Sequence, residues 1–286
     1  MPATVMQILS PAKINLFLHI TGKRPDGYHT LVSLMCPIRL YDTISLRVGG
    51  NQQSVSCAHQ AVPEDESNLA AKAARLFLKE ANLRHQGFDI HIEKQIPVAA
   101  GLGGGSSNAA AVLRALNRHY GGRYSPGQLM KMGQSLGADI PFFINCRPAL
   151  ATGIGEKLEP FYRIDPFHVV LIYPGFGVST AAVYKKLNLG LTKGIKEIKY
   201  TGFNKMQGFD VYKHLCNDLE SVTKSMHPEI ALMKDALLSQ GAEGALMSGS
   251  GASVFGLFAD PDKARHAYLT LSQREKWRVF LTDMIL

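Results

Sequence analysis

The alternation of apolar and polar residues along the chain predicts both strands and helices. From Lys13 to Ile20, Ile14, Leu16, Leu18 and Ile20 alternate with Lys13, Asn15, Phe17 and His19. That period of two marks a strand with one apolar face. Pro25-Asp26-Gly27 then supplies turn chemistry, and Thr43 to Val48 reads as a further strand. A helix is expected over 67–81, with Ser67 as its N-cap and Leu69, Ala73, Leu76 and Phe77 on one face. Phe88, Ile90 and Ile92 alternate with Asp89, His91 and Glu93, which predicts a strand ending near Ile96. Helical spacing returns at Ala109, Val112, Leu113, Leu116 and Tyr120, and again over 126–136.

Beyond about residue 160 the pattern changes. Phe167 to Tyr173 is a short continuous apolar strand, and the lysine-rich stretch 191–208 has little periodicity and reads as a mobile loop. Helices are expected over 217–226, 228–239 and 262–272, with an apolar strand from Ser253 to Phe258. The class is therefore α+β. We place a domain boundary near residue 160, giving domains 1–160 and 161–286.

Composition narrows the class without selecting a function. A chain of 286 residues, 46% hydrophobic and 19% charged, can bury its own core and is too apolar for disorder. Its net charge of +8 admits nucleic acid, anionic membrane or phosphorylated small molecules as partners. Cys36, Cys57, Cys146 and Cys216 are scattered with no C-x-x-C pair, so reduced core thiols are expected rather than a structural zinc site. The first ten residues carry no basic leader and no long apolar run follows, so a cytoplasmic protein is expected.

The candidate chemistry lies in the glycine cluster Gly101-Leu-Gly-Gly-Gly-Ser-Ser-Asn108, between a strand and a helix. Glycines let backbone N–H groups approach an anion, and a helix N-terminus adds unsatisfied donors. Ser106 and Ser107 add hydroxyls, which could also ligate Mg²⁺. No Gly-Lys-Ser/Thr ends the loop, and Ser106 stands where a dinucleotide fingerprint has its last glycine. Three consecutive glycines favour phosphate binding over a tight packing turn. Three other features stay open on these grounds. Gly249-Ser250-Gly251 is a turn or a second backbone approach to the ligand. Asp139 is a helix cap before Pro141 or a general base. Lys13 is a solvated strand residue or a functional one.

The order of several stretches resolves the choice. Pro11-Ala-Lys13-Ile-Asn15, Arg24-Pro-Asp-Gly-Tyr28-His29, Pro97 to Ser107, Gly137-Ala-Asp139-Ile-Pro and Ser248-Gly-Ser-Gly251 together resemble the GHMP kinases. The resemblance runs from about residue 8 to 258, and is sparse over 190–215. It implies an N-terminal ribosomal S5 domain 2-like domain and a ferredoxin-like C-terminal domain, with the active site in the cleft between them. Within the family, Asp26-Gly-Tyr-His29 resembles the members acting on a cytidine diphosphate-linked methylerythritol. The implied reaction is ATP-dependent phosphorylation of its 2-hydroxyl, with Mg²⁺ accompanying ATP.

The resemblance implies that Pro97, Val98, Ala99, Ala100, Gly101, Leu102, Gly103, Gly104, Gly105, Ser106 and Ser107 hold the ATP phosphates. It makes Asp139 the base and Lys13 its cationic partner. Asn15, Tyr28 and His29 are assigned to substrate, with Tyr28 stacked on cytosine, and Tyr184 to the other face of the base. Val98-Ala-Ala100 departs from relatives with further glycines there, which bears on loop mobility. Mevalonate and homoserine kinases are expected to lack the Asp-Gly-Tyr-His element. A nucleic-acid binder should show a basic stripe with exposed aromatics, and here the lysines are dispersed. The expected partner is thus a small molecule, with neither nucleic acid nor membrane, for a monomer or homodimer.

Overall fold

The computed structural model describes residues 5–162, 164–187 and 210–286. The 191–208 stretch read as a mobile loop lies outside them. By contacts the chain forms two compact units that interleave along the sequence. The first comprises 1–12, 40–98 and 103–146, and the second comprises 13–39, 99–102 and 147–286. Two long strands, β1 (Val5–Lys23) and β2 (His29–Val48), are divided between them.

In the first unit, the C-terminal part of β2 pairs antiparallel with β4 (Phe88–Glu93), Thr43 opposite Glu93 through Val48 opposite Phe88. On its other edge β4 pairs in parallel with β3 (Gln53–Cys57). The helices are α1 (Leu69–Glu80), α2 (Gly104–His119), α3 (Pro126–Gln134) and α4 (Ile140–Asn145). α1 packs on α2, and Ile44, Leu46, Phe77, Phe88, Ile90, Val112 and Leu113 are buried in the core. The cap of α1 is Asn68 rather than the expected Ser67. Asn68 Oδ1 accepts from the amides of Ala70 and Ala71, while the Ser67 hydroxyl is spent on Asp65. α3 opens with a capping box between Ser125 and Gln128.

The second unit contains β5 (Ala149–Thr152), β6 (Lys157–Pro160), β7 (His168–Tyr173), α5 (Thr180–Lys186), β8 (Cys216–Asn217), α6 (Glu220–Met226), α7 (Glu229–Ser239), β9 (Gly244–Met247), β10 (Val254–Phe258), α8 (Pro261–Leu271) and β11 (Arg278–Asp283). β7, β9, β10 and β11 make an antiparallel sheet in the order β11-β7-β10-β9, with α7 and α8 packed on it. That is the split βαβ topology of a ferredoxin-like domain, as the resemblance implied. Its core includes Val170, Ile172, Ile230, Met233, Leu237, Val254 and Phe258. The helix expected from Asn217 begins at Glu220, because Asn217 belongs to β8, which pairs in parallel with β1 at Phe17 and Leu18.

β1 is not the one-faced strand its alternation suggests. Every residue from Ser10 to Ile20 is buried, so the polar positions face protein as well. His19 illustrates the consequence. Its Nδ1 lies 3.4 Å from Asp218, whose other oxygen accepts the Ile20 amide at 2.7 Å. Burial works against the imidazolium, but Asp218 and Cys216 outweigh it and raise the His19 pKa to about 9. His19, Cys216 and Asp218 cluster closely enough to suggest a metal site. The His19–Asp218 pair ties β1 to the residue that follows β8.

Candidate functional site

The glycine cluster is divided between the units, and each part is built differently. Ala99 to Leu102 belong to the second unit. There all four carbonyls are taken by protein donors. Ala99 accepts from the Val178 amide (2.9 Å), Ala100 from the Ser253 amide (3.2 Å), Gly101 from the Ser248 hydroxyl (2.9 Å) and Leu102 from the Lys13 amide (3.0 Å). φ is positive at Ala99 (52°), Gly101 (78°) and Gly103 (70°). A left-handed residue at every second position is the φ pattern on which an anion-binding nest is built. A β-carbon on Gly101 would lie 1.9 Å from the Ser248 carbonyl oxygen, so this glycine is required by packing as well as by φ.

Lys13, 5% exposed, is a buried strand residue rather than a solvated one. Its Nζ donates to Asn15 Oδ1 at 2.5 Å, Asn15 Nδ2 to Ser33 Oγ at 2.8 Å, and Ser33 Oγ to the Phe17 carbonyl at 2.6 Å. These bonds fix both side chains on one face of β1. A β-carbon on Gly249 would meet Lys13 Nζ at 3.4 Å, which brings the Ser248–Gly251 turn to the ammonium. Asn217 holds that turn, donating to the carbonyls of Met247 (2.8 Å) and Gly249 (2.7 Å). The Thr180 and Ser250 hydroxyls, 2.8 Å apart, join it to the start of α5.

The segment around Tyr28 is a turn closed by Arg24 N–H to the Tyr28 carbonyl (2.7 Å) and an Arg24–Asp26 ion pair at 2.7 Å, with Gly27 at φ 88°. Tyr28 is 62% exposed. The rings of His29 and Tyr184 lie 5.1 Å apart and tilted by 32°, so these two expected substrate residues come together. Burial and the nearby Lys23 lower the His29 pKa, which keeps the imidazole neutral at neutral pH.

Pro97, Val98 and Gly103 to Ser107 lie in the first unit. Here Gly104, Gly105, Ser106 and Ser107 are the first turn of α2 rather than a loop before it, and Gly103 caps the helix with no side-chain bond. Gly105 is exposed, and a β-carbon there would meet nothing nearer than Leu69 Cδ1 at 3.6 Å. Behind this turn Asp42 is fully buried and paired with Lys94 at 2.6 Å. Asp42 also accepts from the amides of Gln95 and Ile96, both at 2.9 Å, and from Asn108 Nδ2 at 2.9 Å. Asp139 precedes α4 in the N-cap position, yet its side chain makes no capping bond. The capping role therefore does not account for it.

Models of the GHMP kinases N terminal domain and the GHMP kinases C terminal domain match residues 68–147 and 203–276. Over 281 residues the chain is 46% identical to a 4-diphosphocytidyl-2-C-methyl-D-erythritol kinase of Syntrophus aciditrophicus, covering 98% of this chain and 100% of that one. A protein of the same name from Syntrophotalea carbinolica is 49% identical, covering 97% and 98%. The chain belongs to the GHMP kinases. A solved 4-(cytidine 5'-diphospho)-2C-methyl-D-erythritol kinase matches this GHMP kinase with a TM-score of 0.79 at 34% identity, covering 98% of this chain and 99% of that one. ATP is the phosphate donor that membership in a kinase family implies. Among the described residues, no helix is long and apolar enough to cross a membrane.

Sequence reasoning did not find Ser10, Ser33, Asp42, Lys94, Asn108 or Asn217. Each is a single polar residue in or beside a strand or helix, and of the six only Asn108 stands in a motif, at the end of the glycine cluster. The available signal was polarity at a position where the neighbouring pattern required burial.

Proposed function

We propose that this GHMP kinase transfers the γ-phosphoryl group of ATP to the 2-hydroxyl of 4-diphosphocytidyl-2-C-methyl-D-erythritol, giving the 2-phosphate and ADP. This is a cytoplasmic step of the non-mevalonate isoprenoid pathway. The observation that carries the kinase chemistry is the alternation of left-handed residues at Ala99, Gly101 and Gly103 ahead of the α2 N-terminus. The names of the full-length relatives support the acceptor. The division into domains 1–160 and 161–286 belongs to the proposal and is supported by β7 opening the antiparallel sheet at His168.

In this reading residues 97–107 bind the ATP phosphates through backbone N–H groups and the α2 dipole. The hydroxyls of Ser106 and Ser107 are the oxygen donors suited to Mg²⁺, which would neutralise phosphate charge when bound. Asp139 accepts the proton of the attacking hydroxyl. Lys13, oriented through Asn15 and Ser33, supports the acceptor and phosphoryl oxygens. Phosphoryl transfer needs positioning and charge stabilisation more than covalent chemistry, which suits a lysine held this firmly. Tyr28 and Tyr184 take the faces of the cytosine, and neutral His29 reads its polar edge.

A coupled ADP-release assay offering the cytidylyl acceptor, mevalonate and homoserine tests the proposal. Turnover with the cytidylyl acceptor alone is expected, and equal turnover with either of the others would refute the acceptor. Asp139→Ala is expected to lower kcat by ~10²–10⁴-fold while ATP still binds. Near-normal kcat would remove the base assignment.

A further inference from the structure

The first unit contains a buried chain of hydrogen bonds that ends on the phosphate-binding turn. Asp42 is a carboxylate and can only accept, so the atom of Asn108 that lies 2.9 Å from it is the amide nitrogen. The same Nδ2 donates its second proton to Ser10 Oγ at 3.0 Å. Ser10, its hydroxyl oxygen engaged as an acceptor, donates its own proton to Ser107 Oγ at 2.8 Å. Ser10 and Asp42 are fully buried, Ser107 is 1% exposed and Asn108 4%. Water therefore does not scramble the order of donors and acceptors. Ser10 comes from β1 and Asp42 from β2, so two strands set the polarity of a helix turn.

We propose that Ser10 is a positioning residue for phosphoryl transfer, which by donating to Ser107 leaves the Ser107 proton and remaining lone pair for the nucleotide. Without Ser10, the Ser107 hydroxyl would be free to rotate and to donate back toward β1. With it, one orientation is selected before ATP arrives, and preorganisation of this kind favours the transition state. Lys94 and the amides of Gln95 and Ile96 on the same Asp42 fix the origin of the chain. The inference rests on the proposed role of Ser107 in holding the phosphates.

A double-mutant cycle on the full chain separates the two claims. kcat and KM for ATP are measured by ADP release for wild type, Ser10→Ala, Ser107→Ala and the double variant, with thermal melts of each. Ser10→Ala is expected to lower kcat/KM for ATP at least tenfold in wild type, and less than twofold in the Ser107→Ala background. KM for the cytidylyl acceptor should stay within twofold. Equal losses in both backgrounds, or a loss below twofold in wild type, would overturn the relay. A harmless Ser107→Ala would instead overturn the phosphate role on which it rests. Ser10→Cys, close in shape and a weaker donor, is run through the same cycle and decides the matter if Ser10→Ala does not fold.

Discussion

The two parts of the glycine cluster are fixed by different means. In the second unit, Ala99 to Leu102 are held by their carbonyls, each bonded to a neutral donor. In the first unit, the turn from Gly103 to Ser107 is backed by side chains, with the fully buried Asp42 and its ion-pair partner Lys94 among them. Backbone anchoring specifies a path and is sensitive to any added atom. A buried charge specifies orientation and is sensitive to loss of its partner, because an unpaired ion cannot be resolvated. One stretch of sequence therefore has two modes of failure.

Removing a charge should have the largest effect. Asp42→Ala leaves Lys94 buried without its carboxylate and three N–H donors unmatched, and an expected loss of ~3–5 kcal/mol follows. The urea midpoint measures it. A loss under ~1 kcal/mol would mean that the two parts do not differ as described. Adding an atom on the other side comes next. Gly101→Ala forces a left-handed alanine, at about 1–2 kcal/mol, and presses its β-carbon on the Ser248 carbonyl, at a further ~1–3 kcal/mol. Gly105→Ala is the matched control. It sits in an exposed helix turn with room for the methyl group, so stability should rise by ~0.5–1 kcal/mol. KM for ATP should nevertheless increase, because the methyl group covers the N-terminus of α2. If Gly105→Ala destabilises, that glycine serves packing as Gly101 does.

The second unit also has a titratable staple. The His19 pKa, about 9 when folded, stands above the ordinary 6.5. Its contribution to stability is therefore complete below pH 6.5 and is lost as pH rises through 9. Melting temperatures across pH 6 to 10 should fall over that window, and Asp218→Asn should flatten the decline. A melting temperature that rises over the window would mean that the imidazole is neutral in the fold.

Period-two alternation made part of β1 legible, and helical spacing made α1, α3, α7 and α8 legible to within a few residues. The order of motifs made the family and its two-domain fold legible as well. What stayed hidden was burial on the second face. Lys13 and Asn15 break the apolar pattern and so looked solvent-facing, whereas the fold surrounds them with Ser33 and the 248–251 turn. Ser10 and Asp42 were invisible for the same reason, since partners 97 and 66 residues away in sequence define them. The glycines differ in what the fold requires of them: Gly101 answers to a carbonyl, Gly103 to a left-handed cap, and a β-carbon on Gly105 would make only ordinary contact with Leu69.

The smallest effect tests the sharpest detail. Ala99 holds φ 52° with its carbonyl bound to the Val178 amide, a left-handed conformation that costs a non-glycine residue about 1–2 kcal/mol. Ala99→Gly removes that cost but gives the unfolded chain more freedom, worth ~0.4–1 kcal/mol in the opposite direction. The net expectation is a gain between about zero and ~1.6 kcal/mol, the difference between those two contributions. Because the loop path is held by four carbonyl bonds rather than by the alanine side chain, KM for ATP should not change. A variant that is more stable but binds ATP less well would show that strain at Ala99, and not the carbonyl anchors, keeps the amides turned toward the phosphates.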